Sequence, residues 1–365
     1  MNDILSRKAR NHHSHIVLLQ KYFKKKGMKR LLYWIIPVFL MASCTPEEIE
    51  EVLNPDLEVN TDKTVYVITG SPADGYPYQI VKTTIDTVET IVGDSENNYW
   101  GLRVSNDKTQ FICFKSPYDG TDDRGFNEVT ESELWLFNLD GTNGTIITDL
   151  AMQGFSSMGY ANWHPSGTHV VITASKSDDA DGKSQLYLVS MADGTVKKIS
   201  TRNVEHSHPC FSPDGKDITY RAYANTSDDN EDDFEVYYSS YDEAIQEITG
   251  EKRVTNNSFE DKFPYFSGDG YYITYNYTFD ISSNVDRIVL YDTENETFSE
   301  FNDIQDKYST KNAIWSDANT FYFEENITGK LNTYVRRLNV DNASEIKVVR
   351  DLNSVLNFRD PQQVD

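Results

Sequence analysis

The chain has 365 residues, of which 34 are Lys or Arg and 58 are Asp or Glu, so its formal net charge is −24 at pH 7. This acidic balance excludes a general nucleic-acid-binding role, because contacts with phosphates require a basic surface. The length is sufficient for a large hydrophobic core, and by itself it would allow two domains.

Residues 28–44, with the sequence MKRLLYWIIPVFLMASC, form the first recognisable element. Lys29 and Arg30 precede an apolar run over residues 31–41, and small residues precede Cys44. Eleven apolar residues are too few to span a bilayer as a folded anchor, so the pattern predicts a secretory signal peptide. Residues 1–27 are unusually long for the charged region of such a signal. We interpret them as a start-site extension, with a short cytoplasmic tail as the alternative.

The end of this signal resembles a bacterial lipobox, with Met41 as an unusual first position. The resemblance implies that Cys44 is lipidated and becomes the mature N-terminus; the alternative is an ordinary signal with a chance cysteine. Acidic residues soon after Cys44 resemble the surface-export signals of Bacteroidetes lipoproteins. We therefore expect an outer-membrane lipoprotein that faces the periplasm or the cell surface.

An acidic tether is predicted over residues 45–60, which carry two prolines and begin TPEEIEEVLNP. Such a composition favours a solvated segment over a packed element. Without residues 1–44 the chain has 25 basic and 57 acidic residues, a formal charge of −32. We therefore expect the protein to contact the membrane only through the lipid on Cys44.

Residues 61–365 contain a repeated pattern, and its clearest copy is FSPDGKDITY at residues 211–220. The copies are anchored on Ser105, His164, Ser212, Ser267 and Ser316, which are 59, 48, 55 and 49 residues apart. In each copy a strand pattern leads into a Ser-Pro-Asp-Gly-type turn and then into a second strand. The segments that follow, such as QLYLVSMADGTVKKIS, are typical of a strand, a polar turn and another strand. Four short strands per repeat are typical of β-propeller blades.

The FSPDGK and WHPSG cores resemble the WD40-like repeats of TolB-type β-propellers, over about residues 99–350. The resemblance implies an all-β fold of four-stranded antiparallel blades, and a monomeric module that docks to another envelope protein. Residues 60–98 carry strand patterns without an anchor, and we expect LNSVLNF, at residues 352–358, to supply their inner strand. This predicts six blades, with the closing blade shared by N- and C-terminal strands; five and seven blades are the alternatives.

Strand alternation brings the longer loops of such a domain to one face. These loops contain acidic runs over residues 116–133, 177–184 and 226–235, with net charges of −5, −2 and −6. We therefore predict an acidic binding face, with solvation of ordinary polar loops as the alternative. Its residues are Asp119, Asp122, Asp123, Asp178, Asp179, Asp181, Asp228, Asp229, Glu231, Asp232 and Asp233.

Half of a calcium-binding loop is present at residues 177–182, where Asp179 and Asp181 stand at suitable offsets. Ser177 replaces the first aspartate of that motif, so we expect no cofactor, with Ca²⁺ as the alternative. Cys113 and Cys210 fall in blades that are not neighbours, so we expect buried free thiols and no disulfide.

No catalytic residue is predicted. The segment GFSSMG, at residues 154–159, has neither the spacing nor the strand-to-helix context of a hydrolase nucleophile. His164, His206 and His208 would suggest a metal cluster, but the aligned repeats hold other residue types, so we interpret them as surface or turn residues.

The sequence thus favours a non-enzymatic binding module of the cell envelope, whose partner is an envelope protein or a glycan and not a nucleic acid. The alternatives are an enzyme that acts on polysaccharides and a carbohydrate-binding surface lipoprotein of a glycan-utilisation system. A propeller fold does not discriminate between these classes, because it supports many unrelated functions.

Overall fold

A computed structural model describes residues 58–59, 64–72, 75–84, 87–118, 132–178, 182–224, 234–280, 285–300, 308–316, 318–327, 333–339, 344–349 and 357–363. The chain divides into two compact units, residues 1–57 and Glu58–Asp365. The start-site extension, the signal peptide and Cys44 lie outside the described residues, and so does most of the tether. Within the described ranges no helix is long and apolar enough to cross a membrane.

The regular elements of the second unit are strands. Those up to Lys198 are β1 (Glu58–Val59), β2 (Val65–Ser71), β3 (Tyr76–Thr83), β4 (Val88–Val92), β5 (Asn97–Val104), β6 (Gln110–Pro117), β7 (Glu133–Asn138), β8 (Thr145–Asp149), β9 (Phe155–Trp163), β10 (His169–Lys176), β11 (Gln185–Ser190) and β12 (Val196–Lys198). The later ones are β13 (His206–Phe211), β14 (Asp217–Tyr223), β15 (Phe234–Asp242), β16 (Glu247–Arg253), β17 (Asp261–Phe266), β18 (Tyr272–Asp280), β19 (Val285–Asp292), β20 (Thr297–Glu300), β21 (Tyr308–Trp315), β22 (Thr320–Ile327), β23 (Thr333–Asn339), β24 (Ser344–Val349) and β25 (Asn357–Gln363).

These strands form six sheets in a propeller arrangement, as the repeat predicts. Five sheets each contain four consecutive antiparallel strands, β5–β8, β9–β12, β13–β16, β17–β20 and β21–β24. The sixth has the order β25-β2-β3-β4. The innermost strands contact one another in sequence from β5 to β25, and β25 contacts β5, which closes the ring.

The closing blade is shared by the two ends of the domain, as the sequence predicts. Strand β25 pairs antiparallel with β2, with Phe358 opposite Thr69 and Gln363 opposite Val65. The predicted bounds of this inner strand were too early, because β25 begins at Asn357 and residues 352–356 lie outside the described part of the chain. Pro361 lies at a register shift of this pair, where a missing amide hydrogen does not break the ladder.

Strand β1 adds to the outer edge of the last blade. Glu58 and Val59 pair in parallel with Ile346 and Lys347 of β24. These two residues fall in the segment that the sequence assigns to the tether, so the propeller unit begins at Glu58 and not at residue 61.

The repeated turn explains why each blade begins with a hairpin. At Ser212 the hydroxyl donates to Asp214 Oδ1 (2.8 Å) and accepts from the amide of Asp217 (2.9 Å). Gly215 closes the turn with φ of +73°, a conformation that favours glycine. The same contacts recur at Ser105 and Ser267. His164 uses its ring Nδ1 instead of a hydroxyl, 2.7 Å from Ser166 Oγ.

Two sides of the ring follow from strand alternation. The turn side holds the tight turns between first and second strands, such as Ser212–Gly215. The loop side holds the connections from second to third strands and from one blade to the next. Cys113 and Cys210 are buried free thiols in different blades, as predicted.

Candidate functional site

A bulge recurs in the innermost strands, four residues before each anchor. The residues at this position have left-handed φ between +50° and +66°, and each lies at a register shift with the neighbouring strand; they are Gly101, Tyr160, His208, Phe263 and Asn312. For residues other than glycine this conformation costs on the order of 1–3 kcal/mol each. Strain of this kind clusters at functional sites, so the observation directs attention to the channel that the innermost strands line.

Three of these strained side chains meet each other. The rings of Tyr160 and His208 have centroids 3.5 Å apart, and those of His208 and Phe263 lie 4.3 Å apart, nearly perpendicular. They come from β9, β13 and β17, so three successive blades contribute one ring each. The bulge turns these side chains towards one another, which a regular strand would not do.

A second layer of side chains crosses the channel. Arg103 donates from Nη2 to the hydroxyl of Tyr265 (2.6 Å), which donates to Asn312 Oδ1 (3.1 Å). These residues belong to β5, β17 and β21, so the network joins blades that are not neighbours. All three are buried, and the network ties the ring together through its centre.

Each side of the ring carries a cavity. The turn-side cavity has about 300 Å³ and is ringed by the last residues of five inner strands, Val104, Trp163, Phe211, Phe266 and Trp315. The loop-side cavity is larger, with about 610 Å³, which lies in the range of small-ligand sites. Its lining comes from β9, β10, β13, β14, β15, β17 and β19 and from the loops beside them.

The charged groups of the loop-side cavity are paired with one another. Arg221 Nη1 lies 2.8 Å from Glu260 Oε1, and Lys262 Nζ lies 2.7 Å from Glu260 Oε2 and 4.0 Å from Asp286. Burial acts to raise the pKa of Glu260, but Arg221 and Lys262 outweigh it and hold that pKa below its usual value. Glu205 accepts from the amide of Ser184 (2.9 Å), yet burial leaves its pKa raised.

Two buried polar groups line the same cavity without a partner among the described residues. His208 is 3% exposed and Thr173 is 5% exposed, and neither His208 Nε2 nor Thr173 Oγ1 makes a hydrogen bond. Burial, with a contribution from Arg221, holds the pKa of His208 well below its ordinary value, so the ring is neutral. Buried polar groups are normally satisfied, so these two atoms are exceptions among the residues that line the cavity.

The structure describes little of the predicted acidic face. Asp178 lies two residues after the end of β10, on the loop side, and is exposed. The remaining members lie outside the described residues: Asp119, Asp122, Asp123, Asp179, Asp181, Asp228, Asp229, Glu231, Asp232 and Asp233. Glu235, which the sequence groups with the third acidic run, is not a loop residue, because it lies in β15 and is 1% exposed.

The interpretation of the histidines as surface or turn residues is confirmed for His164 as a turn residue, but it was wrong for His206 and His208. His206 and His208 lie in β13, His164 begins a turn, and all three are buried. Within the described ranges, no group of three or more His, Cys, Asp or Glu residues can hold a metal ion. The segment 154–159 continues into β9, so Ser156 and Ser157 lie on a strand and not at a strand-to-helix elbow.

Sequence reasoning missed the cavity residues Thr173, Arg221, Lys262 and Phe263. They come from three strands, β10, β14 and β17, and the nearest pair in different blades is about forty residues apart in the chain. The sequence contained one relevant pattern, since His208 and Phe263 both lie four residues before the anchor of their repeat. That position becomes significant only with the structure, because it is where the bulge occurs.

Comparisons with known proteins agree with the fold. TolB from Acinetobacter baumannii is similar in structure, with a TM-score of 0.60 and 14% identity over 87% of this chain and 70% of that chain. An oligogalacturonate lyase in complex with manganese has a TM-score of 0.52, with 13% identity over 82% of this chain and 77% of that chain.

In sequence, the chain is 25% identical over 142 residues to the uncharacterized peptidase YuxL of Bacillus subtilis (strain 168). The match covers 30% of this chain and about a fifth, 21%, of that relative's length. No family model matches the chain. At these identities the structural likeness shows the fold alone, and the chain is a β-propeller with a TolB-like fold.

Proposed function

We propose that this protein is a lipid-anchored β-propeller of the cell envelope that acts as a non-enzymatic binding module, and that its ligand enters the loop-side cavity. One observation carries the proposal: a preformed cavity of about 610 Å³ in which His208 Nε2 and Thr173 Oγ1 are buried without a partner among the described residues. Leaving such groups unsatisfied costs about 1–3 kcal/mol each, and a ligand removes that cost.

The chemistry of the cavity favours binding over catalysis. Ser207 Oγ contacts His208 Nδ1, which superficially resembles a nucleophile and its base. However, burial lowers the pKa of His208 well below its ordinary value, which weakens the ring as a base. Ser207 also accepts from Arg221 Nε (3.0 Å) and is 5% exposed, so it serves to fix its neighbours.

The acidic segments support a partner that approaches from the loop side. They leave and re-enter the described structure at Tyr118 and Ser132, at Asp178 and Gly182, and at Ala224 and Phe234, all beside loop-side strand ends. We propose that these segments attract a partner with a basic surface, because a field of one sign steers oppositely charged molecules and weakens with salt. Their charge contributes to association more than to folding.

Lipidation at Cys44 is the part of the proposal that concerns location. The pattern of residues 28–44 supports it. We expect the N-terminal peptide of membrane-extracted protein to begin at Cys44 and to carry lipid in its mass spectrum. Cys44→Ala should release the protein into the soluble fraction; a variant that stays in the membrane would contradict the anchor.

Photo-crosslinking from the two sides of the ring tests the binding site. Benzoylphenylalanine replaces Tyr223, which lines the loop-side cavity, or Tyr271, which is 56% exposed on the turn side. The replacement is aromatic for aromatic at both positions, so the two variants are matched in size. We expect adducts with cell-envelope material from Tyr223 at several times the yield from Tyr271, measured on gels of irradiated cells. An excess at Tyr271 would move the site to the turn-side cavity.

A further inference from the structure

We propose that the loop-side cavity binds a neutral carbohydrate, which docks on the buried His208 and Thr173 beside the rings of Tyr160 and Phe263. This inference rests on the proposed function, because it names the ligand class of the same site. It follows from the charge balance, the unpartnered groups and the lining of the cavity.

The charge balance of the cavity indicates a neutral ligand. Its two cations, Arg221 and Lys262, already contact Glu260, and Lys262 also lies near Asp286. A charged ligand would have to break these pairs or remain buried without a counter-charge, and both are unfavourable. The third carboxyl group, Glu205, has a raised pKa because of burial, which shifts it towards its neutral form.

The unpartnered groups indicate what the ligand must offer. Arg221 Nε donates to Ser207 Oγ, so the hydroxyl hydrogen of Ser207 is free to donate to His208 Nδ1. The proton of the neutral imidazole then lies on Nε2, which becomes a donor that needs an oxygen acceptor. Thr173 Oγ1 is both a donor and an acceptor, so a hydroxyl group satisfies it best.

The rest of the lining suits a sugar ring. Ser157, Ser175 and Ser184 also line the cavity, and the hydroxyls of Ser175 and Ser184 lie 2.9 Å apart. The half-buried rings of Tyr160 and Phe263 add apolar surface beside them. A pyranose presents hydroxyls around its edge and C–H groups on its faces, which matches this combination. A peptide offers fewer hydroxyls, and its charged termini would meet groups that are already paired.

Calorimetric titration of the full chain, extracted in a detergent without a sugar headgroup, tests the inference. The probes are neutral tetrasaccharides of glucose, mannose, galactose and xylose, with a tetragalacturonate and tetraglycine as charged and peptide probes. We expect saturable binding of at least one neutral tetrasaccharide and at least tenfold weaker binding of the other two probes. Thr173→Val should weaken the neutral probe tenfold or more, whereas Thr173→Ser should retain it.

Thr219→Val provides a matched control, because Thr219 is a fully buried threonine of β14 whose hydroxyl donates to the carbonyl of Tyr237 (2.9 Å) and is not part of the cavity lining. Thr173→Val removes an unpartnered hydroxyl, so it should leave the melting temperature unchanged or raised while binding is lost. Thr219→Val removes a satisfied one, so it should lower the melting temperature while binding is kept.

Three results would overturn the inference: no neutral probe binds, the tetragalacturonate or tetraglycine binds more tightly, or both valine variants weaken binding equally. If crosslinking from Tyr223 persists in those cases, the proposed function is retained and only the assignment of a neutral carbohydrate as the ligand fails. If crosslinking from Tyr223 is also absent, the proposed function fails with the inference.

Discussion

Removing residues 357–365, which contain β25, should lower the free energy of unfolding by ~4 kcal/mol or more, or prevent folding. Strand β25 is the innermost strand of the closing blade, and it is hydrogen-bonded along β2. Residues 65–70 of β2 are buried, so the deletion exposes both backbone groups and apolar side chains. It also removes the contacts of β25 with β5 and β21, which join the first and last blades. An open ring therefore loses hydrogen bonds and packing together.

Urea unfolding followed by Trp fluorescence and by circular dichroism provides the measurement. Deletion of residues 364–365 alone is the matched control, because both lie beyond β25. The control should keep the midpoint and the slope of the wild-type curve. If the nine-residue deletion also keeps that midpoint, the ends of the domain do not close the ring.

Between pH 5 and pH 9 the free energy of unfolding should fall by about 4 kcal/mol more in the wild type than in Asp261→Asn, because of a buried carboxyl pair. The buried neutral histidines act with the opposite sign in this window, but they are common to both proteins. Glu235 and Asp261 come from neighbouring blades, and they are 1% and 0% exposed. Asn257 links them, since its amide N donates to Glu235 Oε1 (3.1 Å) and its Nδ2 donates to Asp261 Oδ2 (3.0 Å). Arg253 lies 2.6 Å from Glu235, which makes Glu235 the charged member of the pair.

Burial is the largest cause that raises the pKa of Asp261, and the neighbouring Glu235 adds to it, so the pKa reaches about 8. The unfolded chain would release this proton near pH 4. Between those values the folded state binds more protons than the unfolded state, so stability falls as pH rises through the window and levels off above it. Carboxyl groups with lowered pKa, such as Glu260, act only at lower pH.

Asp261→Asn tests this directly, because an amide is neutral at all pH values and can donate to Glu235 Oε2. The variant should be more stable than the wild type at pH 9, and the difference between their free energies of unfolding should grow by about 4 kcal/mol from pH 5 to pH 9. Asp242→Asn, at an exposed turn, is the control and should keep the wild-type slope. A difference between wild type and Asp261→Asn that stays constant from pH 5 to pH 9 would mean that Asp261 is ionised in the folded state.

The repeat predicted the architecture well because each blade encodes its own hairpin. Ser212, Asp214 and Gly215 form their turn through contacts within six residues, and the same logic held at Ser105 and Ser267. Residues 352–358 were assigned to the inner strand because residues 60–98 lacked one, whereas β25 begins at Asn357, contains Arg359, Asp360 and Pro361, and is defined by its pairing with β2. Pairing partners that lie hundreds of residues apart are not encoded locally.

The candidate site was not predictable in the same way. His208 was interpreted as a surface or turn residue because the aligned repeats hold other residue types at its position, yet the bulge brings it into contact with Tyr160 and Phe263. Glu235 was grouped with an acidic loop because the acidic run continues into β15 without a break. In both cases the neighbours that decide burial belong to another blade, so no local pattern contains the information.

The central claim is that this propeller binds its ligand through the loop-side cavity. The comparison of photo-crosslinks from Tyr223 and Tyr271, repeated in the Thr173→Val background, tests it most directly, because Thr173 and Tyr223 line that cavity while Tyr271 lies on the turn side. The account predicts a several-fold excess of adducts from Tyr223 that Thr173→Val removes, with little signal from Tyr271 in either background. Equal yields from the two positions, or an excess from Tyr271 that Thr173→Val leaves unchanged, would contradict it.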